Sequence, residues 1–187
     1  MSNRFQESLG ELKKIQVLTA CAMLGALAVI LGNFSVYLTP EIRVGFSTIP
    51  NQLVDYLFGP AAGAVFGGAL DILKYLIKPS GAFFFGFTFS AIMAGLIYGL
   101  FFYKRKLSLP RILAAEGIVS LVVNIGLNSL WLTMLYGQAL MVILPGRILK
   151  NLVMWPINSL IYYFLVRLLG RTGVLNGFLS AGAGKEL

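Results

Sequence analysis

Long apolar stretches separated by short polar ones run through most of this chain. Their positions predict helices at residues 15–34, 46–58, 61–77, 83–103, 109–136 and 145–169. A helix needs about 20 mostly apolar residues to cross a bilayer, so most of these stretches are candidates to span one. The second is too short to span unaided. Gly59-Pro60 predicts a tight turn after it, because proline cannot continue a helix.

We therefore expect an all-α membrane protein with about six transmembrane helices. A single membrane domain would cover residues 1–187, with a helical core at 15–169 and cytoplasmic termini at 1–14 and 170–187. The glycine-rich tail from Gly170 is expected to fray.

Composition supports a membrane protein. Only 12% of the 187 residues are charged while 58% are hydrophobic, and the mean hydropathy is +0.83. A soluble domain is about a quarter charged, so no water-soluble domain fits beside the helices. The chain has no histidine, which excludes Ser-His-Asp and Cys-His catalysis. Its one cysteine, Cys21, lies in an apolar stretch and is expected to be a small buried hydrophobe.

The net charge of +8 is better explained by membrane topology than by nucleic-acid binding, because lysine and arginine accumulate on the cytoplasmic side. With both termini inside, ten of the fifteen basic residues fall on that side. These ten are Arg4, Lys13, Lys14, Lys104, Arg105, Lys106, Arg111, Arg167, Arg171 and Lys185. The other five, which need a different explanation, are Arg43, Lys74, Lys78, Arg147 and Lys150.

Small residues predict close helix contacts in two places. The first helix carries Ala22 and Ala26, four residues apart, with Gly25 beside them. Such spacing lets another helix approach closely, and here a partner outside the chain is as reasonable as one inside it. In the third helix, Gly63, Gly67 and their small neighbours favour packing within the chain.

Ionisable side chains inside a bilayer are costly, so each suggests a function. Asp71 lies about ten residues into the third helix, hence about 15 Å from its inner end and near the midplane. Lys74 and Lys78 continue the same face outward. Asp71 and Lys74 could neutralise each other as an internal ion pair, but Lys78 leaves an excess of positive charge. Asp55 and Glu116 lie nearer the cytoplasmic side, and we do not assign them to a site.

Two further polar stripes follow helical spacing in the fifth and sixth helices. The fifth helix places Asn124, Asn128 and Trp131 on one face. The sixth helix places Arg147, Asn151, Trp155 and Asn158 on another. Asparagines of this kind could simply bond one helix to another. Their coincidence with outer-half cations instead favours a binding site.

Together these groups predict a site that opens to the outside. Arginine and lysine at its mouth would hold an anion, the asparagines would offer donors and acceptors, and aromatic faces would hold a planar ring. The ligand is therefore expected to be planar, polar at one end and anionic at the other. The candidate site residues are Arg43, Asp71, Lys74, Tyr75, Phe83, Asn124, Asn128, Trp131, Arg147, Lys150, Asn151, Trp155 and Asn158.

Four segments carry a family resemblance over about residues 10–170. They are Arg43-Val-Gly-Phe-Ser-Thr-Ile-Pro50 with Leu57-Phe-Gly-Pro60, then Gly67-Gly-Ala-Leu-Asp71, Ser80-Gly-Ala-Phe-Phe-Phe-Gly-Phe-Thr-Phe-Ser90, and residues 147–158. They resemble the folate-specific S components of energy-coupling factor (ECF) vitamin transporters. The resemblance implies a bacterial cell-membrane subunit with six helices that captures folate at the outer face. The pterin would meet Asp71 and the aromatic faces, and the glutamate tail would meet the outer cations, although Arg147 and Lys150 could equally contact the pterin.

The resemblance also implies partners: a transmembrane coupling protein and two cytosolic ATPases. Ala22 and Ala26 match the small-residue docking motif of the family, and Gly25 is added to them here for its position. The loop at residues 33–45 would help close the site, and the subunit would topple in the membrane to deliver its ligand. ATP would be used by the partners alone, since this chain has no Gly-x-x-x-x-Gly-Lys-[Ser/Thr] motif and is expected to hold no cofactor.

Three alternatives remain open. The ligand could be another vitamin, such as thiamine or riboflavin. The chain could also be a stand-alone ion-coupled carrier in which Asp71 titrates. An intramembrane enzyme is disfavoured, because without histidine it would need a Ser-Lys or paired-aspartate site, and Asp55 and Asp71 are predicted on different helices at different depths.

Overall fold

The computed structural model describes residues 2–33, 35–37, 43–79, 82–137 and 139–171. Its helices are α1 (Ser2–Glu11), α2 (Ile15–Asn33), α3 (Thr48–Ile77), α4 (Phe85–Phe102), α5 (Leu109–Val119), α6 (Asn128–Tyr136) and α7 (Leu140–Arg171). A π-helical segment, Ser120–Leu127, joins α5 to α6. Strands β1 (Ser35–Tyr37) and β2 (Arg43–Gly45) pair antiparallel, with Val36 opposite Val44. The architecture is therefore helical apart from one short ribbon after α2.

Within the described residues, five helical stretches are long and apolar enough to cross a membrane. They are Ile15–Gly32, Thr48–Ile77, Phe85–Phe102, Leu109–Tyr136 and Leu144–Arg171. The prediction of an all-α membrane protein is confirmed at this level. The predicted separation at Gly59 falls inside α3, so a count of six spans stays a prediction.

Helix α3 breaks sharply at Gly59. This glycine has φ 87°, a left-handed conformation that side-chain-bearing residues rarely adopt, and Pro60 follows it. The Asp55 carboxylate lies where a Cβ on Gly63 would stand. Eight residues of straight helix would separate these two positions by about 12 Å, so the chain turns back on itself here. The turn predicted at Gly59-Pro60 is thus present.

The break is held by the side chain of Ser8 from α1. Its hydroxyl donates to the Phe58 carbonyl at 2.6 Å and accepts from the N–H groups of Ala61 and Ala62, each at 3.1 Å. A helix that restarts after a break has unpaired N–H groups in its first turn, and a serine oxygen is a common partner for them. The N-terminal segment, which the sequence indicated only as a cytoplasmic terminus, is therefore a helix that closes the break.

A second contact ties α1 to the loop after α4. Lys104 Nζ donates to Glu7 Oε2 at 2.9 Å, and this hydrogen bond raises the pKa of the Lys104 ammonium. Because Lys104 begins the basic run at residues 104–106, α1 and these cations lie at the same end of the molecule.

The second half of α3 and helix α4 form the closest helix pair. A Cβ atom on Gly67 would collide with the backbone of Ala91, and one on Gly95 with the backbone of Gly63, so the two helix backbones are nearly in contact. The prediction that small residues of the third helix pack within the chain is confirmed for Gly63 and Gly67. Asp71 and Thr88 continue this contact at the end that is distant from Gly59.

Some helix boundaries differ from those predicted. Helix α4 begins at Phe85 rather than residue 83, because Phe84 is extended with φ −134°. Helix α7 begins at Leu140 rather than Pro145, because Pro145 lies close enough to the helix start that few backbone hydrogen bonds are lost. Gly170 is still helical within α7. The rest of the predicted fraying tail, residues 172–187, lies outside the described residues.

Candidate ligand-binding site

A cavity of ≈ 340 Å³ opens between the ends of α3 and α6 and the segment that leads into α4. Its size falls within the range of small-molecule sites, about 300–1,000 Å³. Two lysines and one aspartate provide charge, and most of the remaining wall is aromatic or aliphatic. The lining residues are Asp71, Lys74, Tyr75, Lys78, Ala82, Phe83, Phe84, Phe87, Leu132, Leu135 and Tyr136. The structure thus brings together Asp71, Lys74, Tyr75 and Phe83 of the predicted site.

The Asp71 carboxylate is oriented by α4. Thr88 Oγ1 donates to its Oδ2 at 2.8 Å. In the part of the chain that the structure describes, the salt bridges are Lys14–Glu11 and Lys104–Glu7, so Asp71 and Lys74 do not form the internal pair considered above. Both side chains are half-buried in the cavity wall. Asp71 can therefore accept further hydrogen bonds, and Lys74 can meet an anion.

Aromatic rings form a fixed wall. Tyr75 and Phe83 lie with ring centroids 5.0 Å apart, and Phe84 packs against Trp131 at 5.7 Å. Trp131 is anchored because its indole N–H donates to Ser90 Oγ at 3.0 Å. Trp131 therefore supports the wall from behind Phe84 rather than lining the cavity itself.

A second group of predicted residues lies where α7 meets the π-helical segment. Arg147 Nη1 donates to the backbone carbonyl of Asn124 at 2.7 Å, and Asn151 Nδ2 donates to the Arg147 carbonyl at 2.9 Å. Arg147 uses one of its five N–H donors in this bond, and the other four leave capacity for an anion. Lys150 is exposed.

Asn128 begins α6, one turn before the part of the helix that lines the cavity. It shares a helix face with Leu132 and Leu135, four and seven residues further on, which line the cavity. Its Oδ1 is buried and has no hydrogen-bond partner among the described residues. A buried polar atom of this kind normally has a partner, so the position is suited to a ligand donor or an ordered water.

Two predicted residues lie away from this cavity. Trp155 donates to the Leu113 carbonyl at 2.8 Å and its ring packs over Gly117, so it joins α7 to α5. Asn158 lines a separate, much smaller cavity with Glu116. The side chain of Arg43 lies outside the described residues, although its backbone belongs to β2.

A sequence model of the family described as "ECF transporter, substrate-specific component" matches residues 16–166. The chain belongs to this family. Such a protein is the substrate-binding part of a transporter, so this S component is not an enzyme, as predicted. It is a multi-pass protein of a bacterial membrane.

Individual relatives show which members of the family this S component resembles. It is 36% identical over 165 residues to the folate transporter FolT of Clostridium novyi (strain NT), covering 88% of this chain and 96% of that one. It is 39% identical over 151 residues to the folate transporter FolT of Leuconostoc mesenteroides subsp. mesenteroides, covering 78% and 81%. A crystal structure of FolT bound with folic acid superposes with a TM-score of 0.73 at 30% identity, covering 81% of this chain and 92% of that one.

The predicted docking residues of the S component separate into two faces of α2. Ala22 and Ala26 are exposed, and so are the side chains of Met23 and Ile30. Gly25 is buried, and a Cβ there would meet the Phe66 ring at 3.4 Å. The structure therefore leaves Ala22 and Ala26 accessible to a partner helix, while Gly25 serves the contact between α2 and α3.

Sequence reasoning missed a buried polar cluster in the S component. Glu116 Oε1 accepts from Gln52 Nε2 at 2.5 Å, and its Oε2 accepts from Tyr98 at 2.9 Å. Tyr162 donates to the Gln52 carbonyl at 3.1 Å. Glu116 is 6% exposed and Asp55 is 2% exposed, so both acidic side chains are buried within the protein. The four residues of the cluster come from four different helices, and no sequence spacing could have indicated this.

Proposed function

We propose that this S component binds folate and delivers it to the cytoplasm as part of an ATP-driven ECF importer. The observation that carries the proposal is the cavity of ≈ 340 Å³, which combines an aspartate, two lysines and an aromatic wall. Folate needs these features, since it has a flat pterin at one end and a glutamate with two carboxylates at the other. The FolT relatives support the choice of vitamin.

Within the cavity, each end of folate has a matching group. A carboxylate such as Asp71 can accept two N–H donors from the pterin edge, and the Tyr75–Phe83 pair offers ring faces for stacking. Lys74 and Lys78 would attract the glutamate carboxylates nearer the mouth. Asn128 would receive a donor at the cavity floor, and Trp131 would keep the aromatic wall in place.

The second group would complete the site from α7 and the first loop. Arg147, with Asn151 beside it and its guanidinium held at the Asn124 carbonyl, is half-buried and can hold a carboxylate. Lys150 and Arg43 would add positive charge that draws an anion towards the mouth. Trp155 and Asn158 would support the helices that carry these groups rather than touch the ligand.

We further propose that both termini are cytoplasmic and that the chain spans six times, with the two halves of α3 as separate segments. The concentration of basic residues at the end that holds α1 and Lys104 supports this orientation. The cavity lies at the opposite ends of α3 and α6, near Lys78 and Tyr136, and would therefore open outward.

The importer requires partners in this proposal. A transmembrane coupling protein would pack on α2 at Ala22 and Ala26, where the exposed small residues allow close approach. Two cytosolic ATPases would supply the energy, and we expect no cofactor on this chain.

Ligand binding to detergent-purified protein tests the assignment, with tryptophan fluorescence as the signal. We expect folate to quench it at micromolar concentration, with no response to thiamine or riboflavin. A response to either of those vitamins and none to folate would reassign the substrate. Uptake by liposomes that contain this chain alone would instead show a stand-alone carrier and refute the need for partners.

A further inference from the structure

A second, much smaller cavity lies between α3, α5 and α7, and it shares no lining residue with the ligand cavity. The centre of a water-sized sphere can move within a volume of ≈ 10 Å³ inside this cavity. About 10–15 Å³ measured in this way holds one such particle. The lining residues are Phe46, Thr48, Ile49, Gln52, Glu116, Asn158 and Ile161. The cavity can therefore hold one water molecule or one ion, and several of the side chains that line it carry oxygen atoms.

Both oxygens of the Glu116 side chain accept hydrogen bonds, as those of an ionised carboxylate would. Each of its oxygens accepts one hydrogen bond, from the Gln52 amide at 2.5 Å and from the Tyr98 hydroxyl at 2.9 Å. Both partners offer hydrogens, which an acceptor-only carboxylate requires. The group lies about 10 Å along α5 from its first residue, counting seven residues of helix from Leu109.

Among the side chains that the structure describes, none balances the charge of this carboxylate. Among the residues that the structure describes, no lysine or arginine forms an ion pair with Glu116, and the salt bridges lie on α1 and at its contact with Lys104. An uncompensated carboxylate inside a membrane is strongly unfavourable. A cation in the adjoining cavity would remove that penalty.

The other walls supply the remaining ligands. Gln52 uses its amide nitrogen to bond Glu116, which leaves its carbonyl oxygen as an acceptor. Asn158 and Thr48 add an amide oxygen and a hydroxyl oxygen, while Phe46 and Ile161 form an apolar part of the wall. Hard cations prefer oxygen ligands, and one carboxylate balances one positive charge.

We infer that the cavity between Thr48, Gln52, Glu116 and Asn158 binds one dehydrated monovalent metal cation of the sodium or potassium class. The bound cation would join α3, α5 and α7 and stabilise the fold. The inference is independent of the vitamin, since it concerns residues outside the ligand cavity.

Thermal unfolding of the detergent-purified chain tests this inference, in sodium chloride, potassium chloride and choline chloride at equal ionic strength. We expect the midpoint to rise by about 3 °C or more in sodium or potassium relative to choline, once the cation is well above its dissociation constant. Glu116→Gln keeps the shape of the side chain but removes its charge, and should abolish the difference. Glu7→Gln removes a surface carboxylate and should retain it.

Equal midpoints of the unsubstituted protein in all three salts would overturn the inference and would indicate a water beside a protonated Glu116. An undiminished rise in Glu116→Gln would overturn it as well, because the cation would then act elsewhere. If Glu116→Gln does not fold, Thr48→Val and Asn158→Leu take its place, because each removes one oxygen ligand and should reduce the rise in the unfolding midpoint. An unchanged rise in both variants would contradict the site. Folate quenching measured on the same samples reports the ligand site separately.

Discussion

Asp71→Asn is the substitution that probes the ligand cavity most directly, because it removes one charge and changes the shape very little. Thr88 already donates to Oδ2 at 2.8 Å, and it can still donate to the oxygen of an asparagine. What is lost is the charged acceptor for a ligand N–H, and a hydrogen bond to a charged group contributes about 1.5–3 kcal/mol. The dissociation constant for folate should therefore rise about 10- to 150-fold.

The Thr88→Val variant should cost less, because it removes only the group that orients the carboxylate. Because Thr88 acts on the ligand only through Asp71, we expect a loss of about 0.5–1.5 kcal/mol, which is binding about 2- to 10-fold weaker. In the double variant the loss of binding free energy should be smaller than the sum of the two single losses, because both substitutions act on the same contact.

Fluorescence titration measures these changes, and the protein's two tryptophans can be separated. Trp131 supports the cavity wall through Phe84, whereas Trp155 packs on Gly117. The titrations are therefore made in a Trp155→Phe background, in which the signal comes from Trp131 alone. Folded Asp71→Asn protein with unchanged affinity for folate would refute the role of this carboxylate, and with it the cavity as the pterin site.

Three further outcomes are expected. Arg147→Ala should weaken folate binding by about 1.5–3 kcal/mol in the same titration, and unchanged affinity would make its bond to the Asn124 carbonyl purely structural. Ser8→Ala should lower the free energy of unfolding by about 2–4 kcal/mol, because it leaves a helix start and a buried carbonyl at the Gly59 break without partners, and chemical denaturation in detergent would measure this. Ala22→Trp or Ala26→Trp should abolish folate uptake by cells that carry the whole importer while folate binding stays intact, and loss of both activities would indicate misfolding instead.

Much of the fold follows from the sequence because a bilayer imposes simple requirements. Apolar length located the spanning helices, and Gly59-Pro60 located the break, since few residues other than glycine adopt its φ of 87°. The ends of helices were less predictable. Pro145 resembled a helix start but lies in the second turn of α7, where its missing N–H removes few backbone hydrogen bonds.

The site was predictable in part for the same reason. Asp71 and Lys74 are conspicuous in an apolar helix, and the structure places both in one cavity wall. Trp155 and Asn158 share a helical stripe with Arg147, yet they face α5 and the small cavity. Helical spacing gives the face on which a residue lies but not the neighbour that this face meets. Glu116 shows the same limit, since its partners come from helices distant in sequence.

The π-helical segment between α5 and α6 sets the rotation of everything that follows it. In this segment the Asn128 N–H donates to the Val123 carbonyl, five residues back, so the turn holds more residues than an α-helix would. An α-helix rotates about 100° per residue, so deleting one residue here would turn α6 by about that angle. Asn128, Leu132 and Leu135 would then leave the cavity side together. One wall of the binding cavity therefore depends on how many residues precede it, as much as on which residues they are.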